Sequence, residues 1–179
     1  MLHFSYIPSV AGWRPAALES SLRVRTARLT DWSRLYTLLG DAGLSRTGFP
    51  ACLPWTLVLE RGKPQDDQGE VLGCIVIEPG PVALLRSLAV APEGLVHGYD
   101  GLLLDLALKI AGQAGAVDAV LLVETAAQLP AQRLDSVSWD DLRAARPDSM
   151  LVRELGVFDS TALAVRLALP RSTRRAEAH

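Results

Sequence analysis

The sequence contains few of the residues that mark secreted or metal-binding proteins. It has two cysteines and three histidines in 179 residues. The histidines are His3, His97 and His179, and their spacing suggests no metal site. Cys52 and Cys74 are interpreted as reduced thiols of a cytosolic protein, with a disulfide or a catalytic thiol as the alternatives. Cys74 lies within an apolar run, where a buried and unreactive thiol is expected.

Strong net charge and long apolar stretches are also lacking. The formal net charge is −2, so the chain has no basic footprint for nucleic acid. Its longest apolar runs are shorter than the roughly 20 residues that span a bilayer. Residues 1–10 lack the basic and apolar regions of a secretory signal. We therefore expect a cytoplasmic protein with neither a nucleic-acid nor a membrane partner.

Composition and length predict one globular domain with short additions. Hydrophobic residues make up 49% and charged residues 21% of the chain, which is ordinary for a folded protein. Residues 1–21 show no clear periodicity and are interpreted as an N-terminal extension. The domain is expected over residues 22–170, and the basic residues 171–179 are expected to form a disordered tail.

Apolar periodicity predicts strands that alternate with helices. Leu22–Ala27 alternates apolar and charged residues, as a half-exposed strand does. Thr30 is a suitable N-cap for the helix that follows, and Gly43 is a suitable stop. Gln128–Asp135 is polar and is expected to be irregular. The remaining predicted strands are Leu57–Glu60, Val71–Ile77, Val82–Val90, Ala119–Val123 and Thr161–Leu169, and the remaining helices begin near Tyr99, Ser138 and Pro147.

The segment from Val71 to Thr125 carries the most information. Two apolar runs flank the turn Glu78–Pro81 and predict a hairpin of buried strands. A loop with glycines, an apolar helix and a further strand, Ala119–Val123, follow. Such a loop and helix N-terminus can bind an anion. We expect Val82–Val90 and Ala119–Val123 to be parallel neighbours, because a crossover helix joins them.

This segment resembles the central motif of the GNAT-type N-acetyltransferases. The matching residues are Val71–Gly73, Leu88–Glu93 and Val120–Val123. The resemblance implies an α/β (α+β) fold with a mixed, twisted sheet, helices on both faces and two central strands that splay apart. It also implies acetyl-CoA or another acyl-CoA as co-substrate, and no metal.

In that family the strand end and the loop after it hold acetyl-CoA, and a backbone N–H of the strand end is the main oxyanion donor. The loop signature is (Q/R)-x-x-G-x-(G/A). Here it aligns with Leu95–Asp100, in which Gly98 is kept, Leu95 replaces the polar residue and Asp100 replaces the small residue. The cofactor-binding residues implied by the resemblance are Leu88, Ala89, Val90, Val96, His97, Gly98, Tyr99, Asp100 and Gly101.

Asp100 is the departure with the largest electrostatic consequence. A carboxylate at the start of a helix is expected to accept the first N–H groups of that helix itself. It also repels phosphate groups placed beside it. His97 could supply a compensating positive charge in acidic solution, or be a plain loop residue.

Two carboxylates and one arginine are candidates for chemistry near the strand ends. Glu78 and Glu124 could act as a general base, directly or through water, or be solvated strand-end carboxylates. Arg86 lies within an apolar run and is expected to share a strand face with Leu84 and Leu88. It either binds an acidic substrate or forms a structural ion pair with one of the two glutamates.

The resemblance implies an N-acyltransferase that acts on a small amine. The general acid of the family is a tyrosine in the closing helix, but the aligned pair here is Leu151-Val152. Tyr99 is the nearby phenol that could replace it. The alternative is a GNAT-fold binding or interaction module without catalysis, which Leu95, Asp100 and Val152 favour. The oligomeric state stays open, with a homodimer among the options.

Overall fold

The computed structural model describes residues 21–46, 48–62, 69–123, 135–149, 152–153 and 163–169. The predictions for the N-terminal extension (residues 1–20), the basic tail, Glu124, the irregular residues 128–134 and Leu151 lie outside these residues. All statements on the structure refer to the described ranges.

The described residues form seven strands and five α-helices. The strands are β1 Leu22–Thr26, β2 Thr56–Arg61, β3 Glu70–Glu78, β4 Val82–Val90, β5 Asp118–Val123, β6 Asp135–Val137 and β7 Leu163–Leu167. The helices are α1 Trp32–Asp41, α2 Phe49–Cys52, α3 Pro92–Val96, α4 Tyr99–Gln113 and α5 Trp139–Ala145, with short 3-10 turns at Leu29–Asp31 and Leu53–Trp55.

The seven strands form one mixed sheet in the order β1-β2-β3-β4-β5-β7-β6. Its central pair, β4 and β5, is parallel, and the other neighbours are antiparallel. Helix α4 begins at Tyr99 and connects β4 to β5. The prediction of two parallel neighbours joined by a helix from Tyr99 is confirmed.

Strands β4 and β5 separate part of the way along their length. Their pairing runs from Val82 with Asp118 to Leu85 with Leu121. Strand β4 nevertheless continues to Val90, where it pairs with β3 on its other side. The second half of β4 therefore has no β5 partner in the described residues, and the predicted splay of the central strands is confirmed.

A β-bulge in β4 lies where the two strands begin to diverge. The register of β3 against β4 shifts between Cys74 and Val76, and Ser87 has a φ of 54°. An extra residue in one strand bends it and reverses which face the following side chains occupy. Leu88 accordingly packs with the core under α4 rather than on the face of Leu84. The expectation that Leu84, Arg86 and Leu88 share a face is wrong for Leu88.

Helices cover both faces of the sheet, as predicted. Helix α4 packs Leu103, Leu106, Ala107 and Ile110 against one face, matching its apolar stripe. Alternate residues of β3 face the other side, where they meet α1 and α2. Helix α5 packs on that second face through its buried residue Leu142, near Leu84 and Val120 of the central strands. The same cluster contains Leu122, Val152 and Ala164.

The structure differs from the sequence prediction in the C-terminal third. Strand β6 lies at the edge of the sheet, overlapping a segment expected to be irregular, and pairs with β7. Its residues Asp135, Ser136 and Val137 have little strand signal of their own, so pairing with a distant segment decides their conformation. Ser138 caps α5 as expected, accepting the N–H of Asp141 at 3.1 Å. Pro147 lies in a turn instead of a first helical turn.

The start of α1 also differs, and an ion network explains why. Thr30 is not the N-cap, because a 3-10 turn ends at Asp31 and α1 begins at Trp32. The Asp31 carboxylate accepts the N–H of Arg28 at 2.7 Å and two guanidinium hydrogen bonds from Arg25, at 2.6 and 2.9 Å. Glu60, fully buried on β2, accepts from Arg25 at 2.8 Å. The network ties β1 and β2 to the start of α1.

We predict that this network makes the free energy of unfolding decrease in acidic solution. Burial alone would raise the pKa of Asp31, but the hydrogen bonds from Arg25 and Arg28 outweigh burial and lower it. A carboxyl whose folded pKa lies below its unfolded value of about 3.9 stabilises the fold above that pH and loses this contribution as the pH falls further. Asp31→Asn should cost about 2 kcal/mol at pH 7 in urea unfolding.

The difference between wild type and Asp31→Asn should shrink once the pH falls below about 4. Asp140→Asn is the control, because that carboxylate is 94% exposed in an i,i+3 pair with Arg143. It should change stability by less than about 1 kcal/mol at either pH. A cost at Asp31 that stays constant with pH would contradict the ion-network explanation.

The bulge generates a second prediction. A serine with positive φ is strained, and a β-branched side chain is strained more. Ser87→Gly should leave the free energy of unfolding within about 1 kcal/mol of wild type, whereas Ser87→Val should lower it by about 2 kcal/mol. Ser136, exposed on the regular strand β6, is the control. There the order should reverse, because valine is favoured in a strand over glycine. If the glycine variant is more stable than the valine variant at both serines, the result contradicts backbone strain at Ser87.

Candidate functional site

A cleft of about 370 Å³ lies at the carboxyl end of β4. We call it the β4 cleft. Its walls come from the second half of β4, from the C-terminal end of α1, and from α3 and the first turn of α4. The lining residues are Leu38, Asp41, Ala42, Leu88, Ala89, Val90, Ala91, Pro92, Leu95 and Asp100.

The strand wall of the cleft can bind an extended ligand. Beyond Leu85, the edge of β4 that would face β5 has no strand partner in the described residues. An extended chain that contains amides could pair with this edge as an added strand. The apolar side chains around it would exclude water from the contact.

Four of the residues predicted to bind the cofactor line the cleft. They are Leu88, Ala89, Val90 and Asp100. Gly98 is the N-cap of α4 with a φ of 70°, a conformation that favours glycine. The other four, Val96, His97, Tyr99 and Gly101, lie next to the cleft but not in its lining.

The side chains of that second group point to different roles. Val96 is 86% exposed. The rings of His97 and Tyr99 stack with centroids 5.4 Å apart. Tyr99 is buried in the core under α4. A phenol in that position packs as a core residue, so its use as a general acid stays a prediction.

Asp100 does not cap the helix, contrary to expectation. The N-cap is Gly98, no side chain caps the N-terminus of α4, and Asp100 is the second residue of the helix. Its carboxylate lines the cleft, as does that of Asp41 at the end of α1. Among the described lining residues none is lysine or arginine. The charged part of this cleft is therefore acidic.

Sequence reasoning missed the wall that α1 provides. Leu38, Asp41 and Ala42 precede the start of β4 by at least forty residues. Their helix was predicted, but its position over the carboxyl end of β4 follows from packing alone. No local signal in the sequence connects them to the loop after β4.

A buried ion pair lies beside the bulge, on the face that α2 covers. Arg86 is 1% exposed, and its Nε donates to Oε1 of Glu78 at 2.6 Å. Its Nη2 donates to the Sγ of Cys52 at 2.9 Å, and its Nη1 to the Oγ of Ser87 at 3.4 Å. Of the two alternatives for Arg86, the structure shows the ion pair with Glu78.

A second arginine attaches this pair to α5. Arg146, which follows α5, donates to the backbone carbonyls of Glu78 at 3.1 Å and of Val82 at 2.9 Å. Its Nη2 lies 3.7 Å from Oε2 of Glu78 and 3.0 Å from Oδ2 of Asp148. Arg146 therefore fixes the turn between β3 and β4 and shares the Glu78 carboxylate with Arg86.

Both cysteines are free thiols. Burial raises the pKa of the Cys52 thiol, and the positive charge of Arg86 only partly opposes this. Burial raises the pKa of Cys74 to about 12. Because the thiolate is the nucleophilic form, neither thiol is activated at neutral pH.

Three further features concern the aligned residue Val152, membrane-spanning helices and metal sites. Val152, in the position of the family's aromatic pair, is fully buried in the core under α5. No described helix combines the length and the apolar character of a membrane span. The described residues hold no group of three or more side chains suited to a metal ion.

Comparison with known proteins shows similarity in structure. No protein-family model and no curated protein matches the sequence. Among solved structures, N-acetylglutamate synthase from Neisseria gonorrhoeae, in complex with coenzyme A and N-acetyl-glutamate, is 21% identical with a TM-score of 0.67. The match covers 86% of this chain and 36% of the synthase, so the chain spans about a third of that protein.

Two other solved structures are matched over almost their whole length. Rv2747 from Mycobacterium tuberculosis, in complex with CoA and NLQ, is 16% identical with a TM-score of 0.61 over 83% of this chain and 99% of that one. Arabidopsis thaliana Naa50, with the bisubstrate analogue CoA-Ac-MVNAL, is 11% identical with a TM-score of 0.54 over 83% and 99%. Identities this low establish the fold. The chain has the fold of the GNAT-type N-acetyltransferases, as the sequence resemblance predicted.

Proposed function

We propose that the protein is an N-acyltransferase that moves an acetyl or other acyl group from acyl-CoA to a small amine. The observation that carries the proposal is the separation of β4 from β5 after Leu85, with the β4 cleft at the strand end. The similar structures with CoA bound add support, since they share the fold.

The chain's own contribution is to bind and orient. Acyl-CoA would supply an activated thioester, and the backbone of Leu88–Val90 would hold its pantetheine arm along the second half of β4. Backbone N–H groups there are also suited to stabilise the oxyanion that develops when an amine attacks. Because these groups belong to the main chain, the function tolerates changes in the side chains.

The two ends of CoA fit the cleft unequally. The apolar part of the lining suits the pantetheine arm. Near the phosphate end, the N-terminus of α4 provides a favourable dipole, but Asp100 adds a carboxylate and the described lining residues add no cation. We therefore assign binding of the donor to its pantetheine arm.

The roles of the predicted polar residues stay proposals. Glu78 accepts from Arg86 and lies close to Arg146, an arrangement that suits holding Arg86 more than taking a proton. Glu124 lies outside the described residues, so its role as a base stays a prediction. For Arg86 to anchor an acidic acceptor, a substrate carboxylate would have to replace that of Glu78.

The second candidate function is a binding module without catalysis. The buried Val152 favours the binding module. A valine cannot donate a proton to a leaving thiolate, as the family's tyrosine at this position does. The two candidates share the fold and differ in turnover, so an assay of thiol release separates them.

We predict that the purified protein releases free CoA thiol from acetyl-CoA when a panel of small amines is added. Ala42→Trp should reduce calorimetric binding of acetyl-CoA at least tenfold, because the indole fills the β4 cleft. Ala144→Trp, on the exposed side of α5, is the matched control and should bind as wild type does. Binding without thiol release over a broad amine panel would favour the module, and no binding of acetyl-CoA or CoA would refute donor use.

A second prediction tests whether Arg86 binds an acidic substrate or forms a structural ion pair. Arg86→Met should destabilise the fold by about 3–5 kcal/mol, because it leaves the buried Glu78 carboxylate with its longer contact to Arg146. Arg166→Met, which removes an exposed pair with Asp118, should cost less than about 1 kcal/mol. The double variant Arg86→Met/Glu78→Met should recover most of the loss.

Thermal melts with acidic and neutral amines complete this test. A structural pair predicts the same ligand response in wild type and in any folded Arg86 variant. A small loss of stability together with a large loss of affinity for acidic amines would instead support the anchor. If the double variant is as unstable as Arg86→Met, the loss of stability does not come from the unpaired Glu78 carboxylate, and the ion-pair explanation is contradicted.

A further inference from the structure

The β4 cleft has an unusual charge for a site that receives a polyanion. Asp41 and Asp100 are the charged side chains among its described lining residues. Neither carboxylate forms a hydrogen bond or ion pair with a described residue. Asp41 ends α1, where the helix dipole favours a cation, so its placement gives no gain in helix stability.

The rest of the described lining is apolar and includes the second half of β4. Leu38 and Ala42 provide one side, and Leu88–Pro92 with Leu95 provide the other. This combination suits an uncharged amide chain, which is the chemistry of the pantetheine arm. It offers nothing that would attract the phosphates of the nucleotide beyond the N-terminal dipole of α4, which Asp100 opposes.

We propose that the protein recognises its donor as an acyl thioester of pantetheine and gains little or no affinity from the nucleotide. The inference rests on the proposed function and specifies the donor class of the same cleft. Asp41 and Asp100 set this specificity, since they are the charged side chains of the described lining and Asp100 lies in the first turn of α4. Thioesters of pantetheine without a nucleotide are then donors comparable to acyl-CoA.

Electrostatics gives the expected size and sign of the effect. Two like charges a few ångströms apart at a partly exposed site change binding by about three- to tenfold. Added salt screens repulsion, so CoA affinity should rise or stay level with ionic strength. Sites that hold a polyanion with basic side chains show the opposite trend.

The test is calorimetric titration of the full chain with CoA and with reduced pantetheine, at low and high salt. The variants are Asp100→Asn, Asp41→Asn and the double variant. Asp105→Asn, exposed on the same helix and outside the lining, is the matched control. Since Asp100 caps nothing, its variants should stay folded, which thermal melts verify.

We expect wild type to bind CoA and pantetheine within about tenfold of each other, and Asp100→Asn to tighten CoA about three- to tenfold while leaving pantetheine unchanged. Asp105→Asn should change neither. CoA that binds at least 100-fold tighter than pantetheine, or that weakens with salt, overturns this inference and leaves the proposed function standing. Binding of neither ligand overturns both.

Discussion

The divergence of β4 from β5 is the constraint on which the candidate site depends. In the described part of the chain, pairing between the two strands ends at Leu85, and the bulge at Ser87 follows directly. A bulge bends and twists its strand, so β4 leaves its parallel neighbour while it stays paired with β3. The cleft lies along this half of β4.

Buried charge holds this bent strand in place. Arg86, next to the bulge, pairs with Glu78 on β3, and Arg146 joins the same carboxylate and the adjacent turn to α5. An ion pair in the interior is costly to form but even more costly to break on one side. The cluster therefore favours one packing of β3, β4 and α5 over alternatives, whatever its net contribution to stability. The Arg25, Asp31 and Glu60 network does the same for α1.

Fold and ligand chemistry are separable in this protein. Leu88–Val90 line the cleft, and the position of their main chain depends on strand geometry. Side chains at Asp41 and Asp100 provide the charge of the described lining. Under the proposed function, substitutions at these two side chains would change which donor binds and leave the sheet unchanged. This explains how a loop that departs from the family signature coexists with an intact strand–helix–strand unit.

Elements whose sequence signals are local can be predicted from the sequence alone. The apolar runs of β3, β4 and β5 and the stripe on α4 predict buried strands and a buried helix, because periodicity reflects which side meets the core. The order of these elements then limits β4 and β5 to a parallel pair. Ser138 as a cap was also predicted, since capping depends on residues three positions apart.

Tertiary structure alone decided the features that join distant segments. The residue with positive φ in the bulge is Ser87 and not a glycine, so the sequence carries no signal for the bulge. Because of the bulge, Leu88 lies on the opposite face of the sheet from the one expected. The α1 wall of the cleft and the pairing of β6 with β7 each join residues far apart in the chain. Glu78 and Arg86 lie close in the chain, but packing decides that Arg86 pairs with this glutamate. Periodicity describes one segment at a time, whereas these contacts depend on how the bent strand and its neighbouring helices pack together in three dimensions.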